Sequence, residues 1–545
     1  MSSLADYMVK TLLDCGVTNM FGYPGGATLD VMESAYQQGL RFTLPRSEWA
    51  AAYMAAMTGD LSGTPGVVIS TLGPGATNLL NGVSHAYLDR SPLLAITGRL
   101  GLSSSRTTHQ RVSQRNLFET VTKWSTTLTA SGSADIGRAL RVAVAERPGP
   151  VHLDLPSDQT KLDAGSSNYE CERVEVHYGG LSDPDLVVSR LKASQRPLVL
   201  VGPAAIRHKS GPALRNFVEQ WGIPVLTSVK AKGVLDERHP YWAGVVDMAG
   251  AVRVKEFLRS ADLLLAIGFD AVELIGHWDV NVPTIHIDSV PNTDFVYRAD
   301  LEIIGDIAQI LESLARISVP TPKWGEEEVQ TFVTSLVRAL TPHLPGTVPS
   351  GIAFAAREIL PEGTIVVTDT GSHKVLLGQL WRSYRPKTYF VSNGLGTMGF
   401  GLPAAIAAKM YSPEEPVVCF SGDGGFAMVS SELATAVENS CPVILVVFRD
   451  GSLDRILRKQ EASHLTPTGT LFSNPNLMQL AESYSVNAFT AANLNEFSKA
   501  LDTALRLSQP TLIDVPINSQ EYKIQFELAG SVPGQGLPIN GKSDY

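Results

Sequence analysis

The stretch that decides the fold is FSGDGGFAMVSSELATAVENSCPVILVVFRDGSLDRI, residues 420–456. It contains two apolar runs, and each run stops at an aspartate beside a glycine, first Asp423 and then Asp450. A helical segment separates the runs, which predicts two strands joined by a crossover helix in a parallel sheet. The carboxyl ends of such strands meet at one edge of the sheet, about 5 Å apart when the strands are neighbours. We therefore expect the two carboxylates to lie close together.

The glycines beside these aspartates indicate a site for a phosphate. A strand that ends in glycine and opens a helix leaves backbone N–H groups free to bind an anion. A carboxylate at the same place repels a phosphate unless a cation lies between them, and Mg²⁺ binds one or two protein carboxylates together with phosphate oxygens. Asp423 and Asp450 are thus candidate ligands of a metal diphosphate. On these residues alone, a helix cap at Asp423 and a turn residue at Asp450 explain the pattern equally well.

Length, composition and charge limit the possible classes of protein. The chain has 545 residues, of which 44% are hydrophobic and 18% charged, and this predicts a soluble protein of about three domains. A net charge of −10 without a basic cluster argues against nucleic acid or an anionic membrane as the main partner. Every apolar run is shorter than the roughly 20 residues that span a bilayer. The first residues form an amphipathic pattern instead of a signal segment, so we expect a cytoplasmic location.

The cysteines are few and widely spaced. None of them forms a CxxC pair of the kind that binds zinc or carries out redox chemistry. We expect buried free thiols at all four positions, Cys15, Cys171, Cys419 and Cys441.

Short apolar runs alternate with helical segments along most of the chain. This alternation predicts an α/β protein with three doubly wound parallel-sheet domains. Polar linkers place the domains at 1–165, 182–318 and 346–525, and a tail rich in glycine and proline occupies 526–545.

The first and third domains share a sequence pattern. Each contains a strand, a glycine-rich turn, a helix, a small residue with proline, and a second strand. The turn and the proline are 19 positions apart between Gly73 and Pro92, and 20 positions apart between Gly422 and Pro442. Either an internal duplication or chance similarity between α/β units explains this match.

Five motifs in order resemble a known family. The GDG at 422–424, followed by an acid at Asp450, resembles the signature of thiamine diphosphate-dependent enzymes. Four further segments resemble their acetohydroxyacid synthase branch: FGYPGGATLDVM, RSEWAAAYMAAMTGDLSGTPGVVISTLGPGATN, TDTGSHK and VSNGLGTMGFGLPAAIAAKM. The resemblance covers nearly the whole chain. It implies that the first domain binds the pyrimidine of the cofactor and the third binds its diphosphate, with a central domain between them.

The resemblance also implies roles for individual residues. Glu48 corresponds to the glutamate that contacts the aminopyrimidine and moves its proton, and Gln110 to a glutamine beside the reacting carbonyl. Met398 corresponds to the apolar residue that bends the cofactor. The Mg²⁺ ligands would be Asp423, Asp450 and the carbonyl of Ser452, although the family has asparagine where this chain has Asp450. The full set of implied cofactor contacts is Gly25, Gly26, Glu48, Asn78, Gly371, Ser372, His373, Gly396, Met398, Gly424 and Gly425.

The implied reaction is the decarboxylation of a 2-oxo acid, dependent on thiamine diphosphate and Mg²⁺, with carboligation to a second carbonyl compound. An alternative function remains open: the chain could be a 2-oxo acid decarboxylase, or an acyl transferase or lyase, that acts on a substrate other than pyruvate. The segment LLAIGFDAVELIGHWDVN resembles acetolactate synthases that use no flavin, which favours a chain without bound FAD. The family builds its active sites between subunits, so a homodimer or homotetramer that acts on small 2-oxo acids is expected. A cofactor-free structural relative is disfavoured because the cofactor set is present.

The chain departs from ordinary acetolactate synthases at residues expected near the substrate. His109 stands beside Gln110, and Arg455 and Lys459 follow the metal residues. We hypothesise that one or more of these cations favours a substrate that is more polar or more anionic than pyruvate. The alternative is a solvated lid helix with alternating charges.

Overall fold

The computed structural model of the protein describes residues 2–103, 108–164, 184–294, 296–317 and 322–529. It contains three sheets of six parallel strands each, with helices packed against them. The α/β prediction with three parallel-sheet domains is therefore confirmed. The predicted domain boundaries stay a prediction, and most of the predicted tail lies outside the described residues.

The first sheet has the strand order β2-β1-β3-β4-β6-β5. Its strands are β1 (Asn19–Tyr23), β2 (Arg41–Thr43), β3 (Gly66–Ser70), β4 (Leu93–Arg99), β5 (Trp124–Thr127) and β6 (Pro150–Pro156). Its helices are α1 (Leu4–Asp14), α2 (Leu29–Gln38), α3 (Glu48–Ser62), α4 (Pro74–Leu88), α5 (Gln114–Glu119) and α6 (Ala134–Val144).

The central sheet has the order β12-β11-β10-β7-β8-β9. Its strands are β7 (Pro197–Val201), β8 (Val225–Ser228), β9 (Trp242–Val246), β10 (Leu263–Ile267), β11 (Thr284–Asp288) and β12 (Leu301–Ile304). The helices of this region are α7 (Pro184–Ala193), α8 (Ala204–Arg207), α9 (Gly211–Trp221), α10 (Ala251–Arg259), α11 (Ile307–Ala315) and α12 (Glu326–Leu340).

The third sheet has the order β14-β13-β15-β16-β18-β17. Its strands are β13 (Ile365–Thr368), β14 (Tyr389–Val391), β15 (Val417–Gly422), β16 (Ile444–Arg449), β17 (Asn487–Thr490) and β18 (Thr511–Pro516). Its helices are α13 (Pro349–Ile359), α14 (Ser372–Leu380), α15 (Gly401–Tyr411), α16 (Asp423–Val429), α17 (Glu432–Glu438), α18 (Asp454–Ala462), α19 (Leu477–Ser483), α20 (Leu494–Ala504) and α21 (Gln520–Leu528).

The first and third sheets repeat one topology. Numbered within each sheet, both run 2-1-3-4-6-5, whereas the central sheet runs 6-5-4-1-2-3. The pattern shared by the two outer domains therefore reflects a shared strand order. In the third sheet β15 and β16 are neighbours, with Gly422 paired to Phe448. Asp423 and Asp450 accordingly follow adjacent strand ends, as the opening stretch predicts.

Small residues bring the first and third domains together. Helix α3 packs against α15, and the alanines in the middle of both helices are fully buried. Side chains of the two helices belong to one apolar core. Alanine permits this close approach because it carries little side chain between the helix backbones. The two domains thus share a core within one chain.

Asp89 joins the end of α4 to a loop of the third domain. Its Oδ1 accepts the backbone N–H groups of Asn393 at 2.8 Å and Gly394 at 3.2 Å, and its Oδ2 accepts that of Leu395 at 3.4 Å. The side chain is only 1% exposed. The same loop continues to Met398, so a first-domain carboxylate anchors a loop with a predicted cofactor contact.

A histidine and a lysine beside this buried carboxylate favour its charged form. His85 Nδ1 lies 3.0 Å from Asp89 Oδ2, and Lys230 Nζ of the central domain lies 3.6 Å from Asp89 Oδ1. Burial alone would raise the pKa of Asp89, but His85 and Lys230 hold it well below its usual range. All three domains therefore meet at one charged group.

The structure corrects one prediction about the cysteines. Cys15 is disulfide-bonded, so the prediction of a free thiol there is wrong. Cys419 and Cys441 are free and buried, as expected, and Cys171 lies outside the described residues. Among the helices that the structure describes, none is both long and apolar enough to cross a membrane.

We predict that Asp89→Asn destabilises the protein by about 3 kcal/mol, because it removes the negative charge beside Lys230 and replaces one of the two oxygens that accept the loop N–H groups by an amide donor. Thermal unfolding followed by calorimetry would measure the loss as a lower Tm. The matched control is Asp14→Asn at the exposed end of α1, which loses only a surface ion pair with Lys10 and should change stability by less than about 0.5 kcal/mol. Equal Tm values for the two variants would contradict the anchoring role of Asp89.

Candidate active site

A cavity of about 280 Å³ opens at the carboxyl edge of the third sheet. The turns after β13, β15 and β16 form its wall together with residues of α18 and α21. The structure brings twelve of the predicted residues together here: Gly371, Ser372, His373, Gly396, Met398, Asp423, Gly424, Gly425, Asp450, Ser452, Arg455 and Lys459.

Asp423 connects the two strand ends of the opening stretch. Its Oδ2 accepts the backbone N–H groups of Asp450 at 3.1 Å and Gly451 at 2.7 Å. The same oxygen accepts Asn474 Nδ2 at 2.7 Å, and Oδ1 accepts the N–H of Gly424 at 2.9 Å. The carboxylate therefore fixes the position of the second turn relative to the first. Asn474 was not predicted, since nothing in its local sequence marks it as a partner of Asp423.

Asp450 lies beside this carboxylate with a contact of its own. Its Oδ1 accepts both the N–H and the Oγ–H of Ser452, each at 3.0 Å. Burial, and next the negative charge of Asp423, raise the pKa of Asp450 to about 6. A cation between the two carboxylates would remove this repulsion.

The donor set suits Mg²⁺ better than a metal held by protein alone. No group of three or more His, Cys, Asp or Glu side chains suited to a metal ion occurs in the described part of the chain. Two carboxylates at adjoining turns are what Mg²⁺ uses when water and phosphate oxygens supply its other ligands. Asp423 and Asp450 therefore fit a Mg²⁺ ion that is shared with a bound diphosphate.

The start of α14 provides donors for an anion in the same cavity. Gly371 is its N-cap, and no side chain caps the free N–H groups of the first turn. The Ser372 Oγ–H donates to Asp454 Oδ2 at 2.6 Å, so this hydroxyl is already engaged. His373 is buried, and its Nε2 has no hydrogen-bond partner among the described residues. Burial lowers the pKa of His373 to about 3, which leaves a neutral ring, and its free Nε2 can donate to a phosphate oxygen in the tautomer that carries the ring proton there.

Glycine is required at one place in the wall and fits closely at a second. A Cβ on Gly425 would lie 2.1 Å from Asp369 Oδ2, so any side chain would collide with this carboxylate. A Cβ on Gly424 would lie 3.0 Å from Leu453 Cδ2 and 3.5 Å from Met398 Cε. These contacts place the Met398 methyl group close to the GDG turn.

Asp369 positions the loop that carries Met398. Its buried carboxylate accepts the N–H of Gly399 at 3.1 Å, the N–H of Thr370 at 2.8 Å and the Oγ–H of Ser421 at 3.1 Å. Burial raises the pKa of Asp369. This aspartate belongs to the TDTGSHK motif, but its role as an organiser was not predicted because it depends on tertiary contacts.

A second group of predicted residues lies at the carboxyl edge of the first sheet. Glu48 is the first residue of α3, which follows β2 and is capped by Ser47. Its Oε2 accepts Asn78 Nδ2 at 3.1 Å. Glu48 is partly buried and Asn78 is exposed, so the pair faces an open surface. Gly25 and Gly26 follow β1 at the same edge.

Gln110 belongs to the same edge and has left-handed backbone geometry, with φ at 54°. A Cβ on Gly73 would lie 2.8 Å from Gln110 Cβ, so the glycine allows this contact. The buried Gln114, which was not predicted, accepts the Gly73 N–H at 3.2 Å and supports the turn. His109 and Gln110 are both exposed.

The group of residues at the first sheet does not line the cavity described at the third sheet. Among the described residues that line the 280 Å³ cavity, none belongs to the first domain. Glu48, Asn78 and Gln110 therefore remain a separate group of candidate residues, at the edge of the first sheet. The metal and diphosphate candidates form the other, at the edge of the third sheet.

Comparison with known proteins agrees with this arrangement. Three family models match in order: the N-terminal TPP binding domain of thiamine pyrophosphate enzymes at 2–120, their central domain at 185–314 and their C-terminal TPP binding domain at 369–515.

Similar proteins match over almost their full length. A probable acetolactate synthase large subunit of Methanocaldococcus jannaschii is 31% identical, over 98% of this chain and 95% of that protein. The acetolactate synthase isozyme 2 large subunit of Escherichia coli is 30% identical, over 95% of this chain and 96% of that protein. The acetolactate synthase of Bacillus subtilis is 28% identical, over 96% of this chain and 94% of that protein. The chain belongs to the thiamine pyrophosphate enzyme family, and its likeness to acetolactate synthases extends over nearly all of its length.

Proposed function

We propose that the protein uses thiamine diphosphate and Mg²⁺ to decarboxylate a 2-oxo acid and to join the product to a second carbonyl compound. The observation that carries this proposal is the pairing of Asp423 and Asp450 beside the uncapped start of α14. The likeness to acetolactate synthases supports the carboligation. The bound cofactor would supply the electron sink for decarboxylation.

The third domain would hold the charged end of the cofactor. Asp423, Asp450 and the carbonyl of Ser452 would bind Mg²⁺. The backbone N–H groups of the Gly371 turn and the GDG turn, with the free nitrogen of His373, would bind the diphosphate oxygens. Met398 would pack against the cofactor from the loop that Asp89 and Asp369 anchor.

The first domain would provide the proton chemistry. Glu48 would hydrogen-bond to the pyrimidine ring and exchange a proton with it, while Asn78 keeps the carboxylate in place. Gln110 would lie beside the reacting carbonyl. His109, next to Gln110 and exposed, would lie at the entrance to the site and contact a polar substrate.

A complete site would need two chains. Each chain presents one half-site on its first domain and the other in the cavity of its third domain. We propose a homodimer, or a homotetramer built from such dimers, in which the first domain of one chain faces the third domain of its partner. A cytoplasmic location follows from the sequence as a further proposal.

The central domain favours a protein without FAD. Dinucleotides bind where the strand order of a doubly wound sheet reverses, which is here between β7 and β10. At this position, residues that follow β7 and β10 form ion pairs with residues of the first domain. Arg207 Nε donates to Glu146 Oε1 at 2.9 Å, and Arg90 Nε donates to Asp270 Oδ2 at 2.9 Å. A dinucleotide there would have to break these partly buried pairs.

We predict that the purified protein, supplied only with thiamine diphosphate and Mg²⁺, converts 2-oxo acids without flavin. Substrates tested singly and in pairs, with mass analysis of the products, should give CO₂ and a compound that joins two substrate molecules. Release of an aldehyde as the main product would instead indicate a decarboxylase. A need for added FAD would contradict the assignment of the central domain.

We predict that Glu48→Gln lowers turnover by at least about a hundredfold, because an amide cannot exchange the proton. Cofactor-induced fluorescence quenching should persist and the Tm should be unchanged, since Asn78 can still contact the side chain. The matched control is Glu33→Gln on the exposed face of α2, which should have wild-type turnover. Wild-type turnover in Glu48→Gln would exclude this carboxylate from the proton transfer.

We predict that Asp450→Asn raises the Mg²⁺ concentration for half-maximal cofactor binding by about tenfold. The substitution retains an oxygen ligand but removes one negative charge close to the ion. Titration of the protein with Mg²⁺ at fixed thiamine diphosphate, followed by tryptophan fluorescence, would measure the change. Asp502→Asn, an exposed change on α20, is the control. Identical Mg²⁺ titrations for wild type and Asp450→Asn would remove Asp450 from the ligand set.

A further inference from the structure

Two cations on α18 line the cavity of the third domain. Arg455 and Lys459 are four residues apart, so they lie on the same face of the helix, and both contribute to the cavity wall. Arg455 is partly buried and Lys459 is exposed. The part of α18 in the cavity wall therefore presents one partly buried and one exposed cation, beside Asp454 and Ile456.

The guanidinium of Arg455 is largely uncommitted. In the described ranges its only hydrogen bond runs from Nη2 to Met248 Sδ at 3.0 Å, and a thioether is a weak acceptor. Asp247 of the central domain acts on it only through its charge, and Asp247 Oδ2 has no hydrogen-bond partner among the described residues. Burial lowers the pKa of Arg455, and the negative charge of Asp247 offsets this only in part. An additional anion would therefore be favourable beside Arg455.

A neighbouring arginine on the same helix is fully engaged and serves as a comparison. Arg458 Nε donates to Asp454 Oδ1 at 2.9 Å, and its Nη1 donates to Glu461 Oε2 at 2.9 Å. Asp454 also accepts from Ser372 and makes no hydrogen bond with Arg455 among the described residues, although its negative charge favours the charged form of Arg455. The helix thus contains one arginine that stabilises the structure and another whose donors face a cavity.

The other acids of the cavity are also occupied. Asp423 accepts from backbone groups and from Asn474, and Asp450 accepts from Ser452. Under the proposed function both would in addition bind Mg²⁺. Arg455 and Lys459 therefore remain available for a charge that enters from outside.

We propose that Arg455, assisted by Lys459, binds a second anionic group on the 2-oxo acid substrate, such as the distal carboxylate of a dicarboxylic 2-oxo acid. This inference rests on the proposed function and names its substrate class. A planar guanidinium binds a carboxylate through two parallel hydrogen bonds, and such pairing is strong where water is partly excluded. Lys459 at the mouth would attract the anion and approach the same group.

The test compares kcat/KM for pyruvate with kcat/KM for oxaloacetate, 2-oxoglutarate and 2-oxoadipate in the holoenzyme. Wild type should prefer one of the dicarboxylic acids. Arg455→Gln should lower the ratio of kcat/KM for the dicarboxylic acid to kcat/KM for pyruvate by about 10- to 100-fold. Lys459→Gln should lower this ratio less. The matched control, Lys523→Gln, removes one positive charge from an exposed position on α21 outside the cavity wall and should leave the ratio unchanged.

Three results would overturn the inference. Wild type could act on pyruvate without any preference for a dicarboxylic acid, or the ratio could be the same in wild type and in both cavity variants. The variants could also change only the thiamine diphosphate concentration needed for activity. In that case Arg455 and Lys459 would bind the diphosphate of the cofactor and not the substrate. These outcomes leave the proposed function intact. A wild-type protein that converts no 2-oxo acid would overturn the proposed function and this inference with it.

Discussion

The packing of α3 against α15 is the constraint on which the arrangement of the site depends. Glu48 is the first residue of α3, and α15 begins directly after the loop that contains Met398. Tyr53 of α3 also contacts Thr397, with its hydroxyl 2.9 Å from Thr397 Oγ1. The two functional edges are therefore held by one alanine-rich contact, which fixes them relative to each other. None of the described residues that line the third-domain cavity comes from the first domain.

Charged groups add to this apolar contact where the domains meet. Asp89 holds the Asn393 loop, and Asp369 holds the far end of the same loop at Gly399. One carboxylate comes from the first domain and the other from the third. The loop between them includes Gly396 and Met398, so its geometry is set by two buried acids, neither of which lines the cavity. Damage to the domain junction would therefore reach the candidate cofactor site through the backbone.

The sequence predicts this fold well because its decisive signals are local. The apolar runs before Asp423 and Asp450 identify two strands, and parallel-sheet geometry brings their ends together without knowledge of the rest of the chain. The contacts of Asp89, Asn474 and the Cys15 disulfide are different. The residues in each of these contacts are distant in sequence, or their own segment carries no pattern that marks the contact. Sequence pattern alone could therefore not predict them.

The charges of α18 illustrate the same limit at the level of function. The segment Asp454 to Lys459 has alternating charge, which suits a solvated helix as well as a binding surface. The tertiary packing distinguishes the two arginines of this segment. Arg458 has two carboxylate partners, whereas Arg455 has only a thioether as its hydrogen-bond acceptor among the described residues. Burial of a charge without a full set of partners is costly, and proteins retain it where a ligand completes the set. Under the inference drawn above, Arg455 is the residue at which the cofactor cavity and the choice of substrate meet.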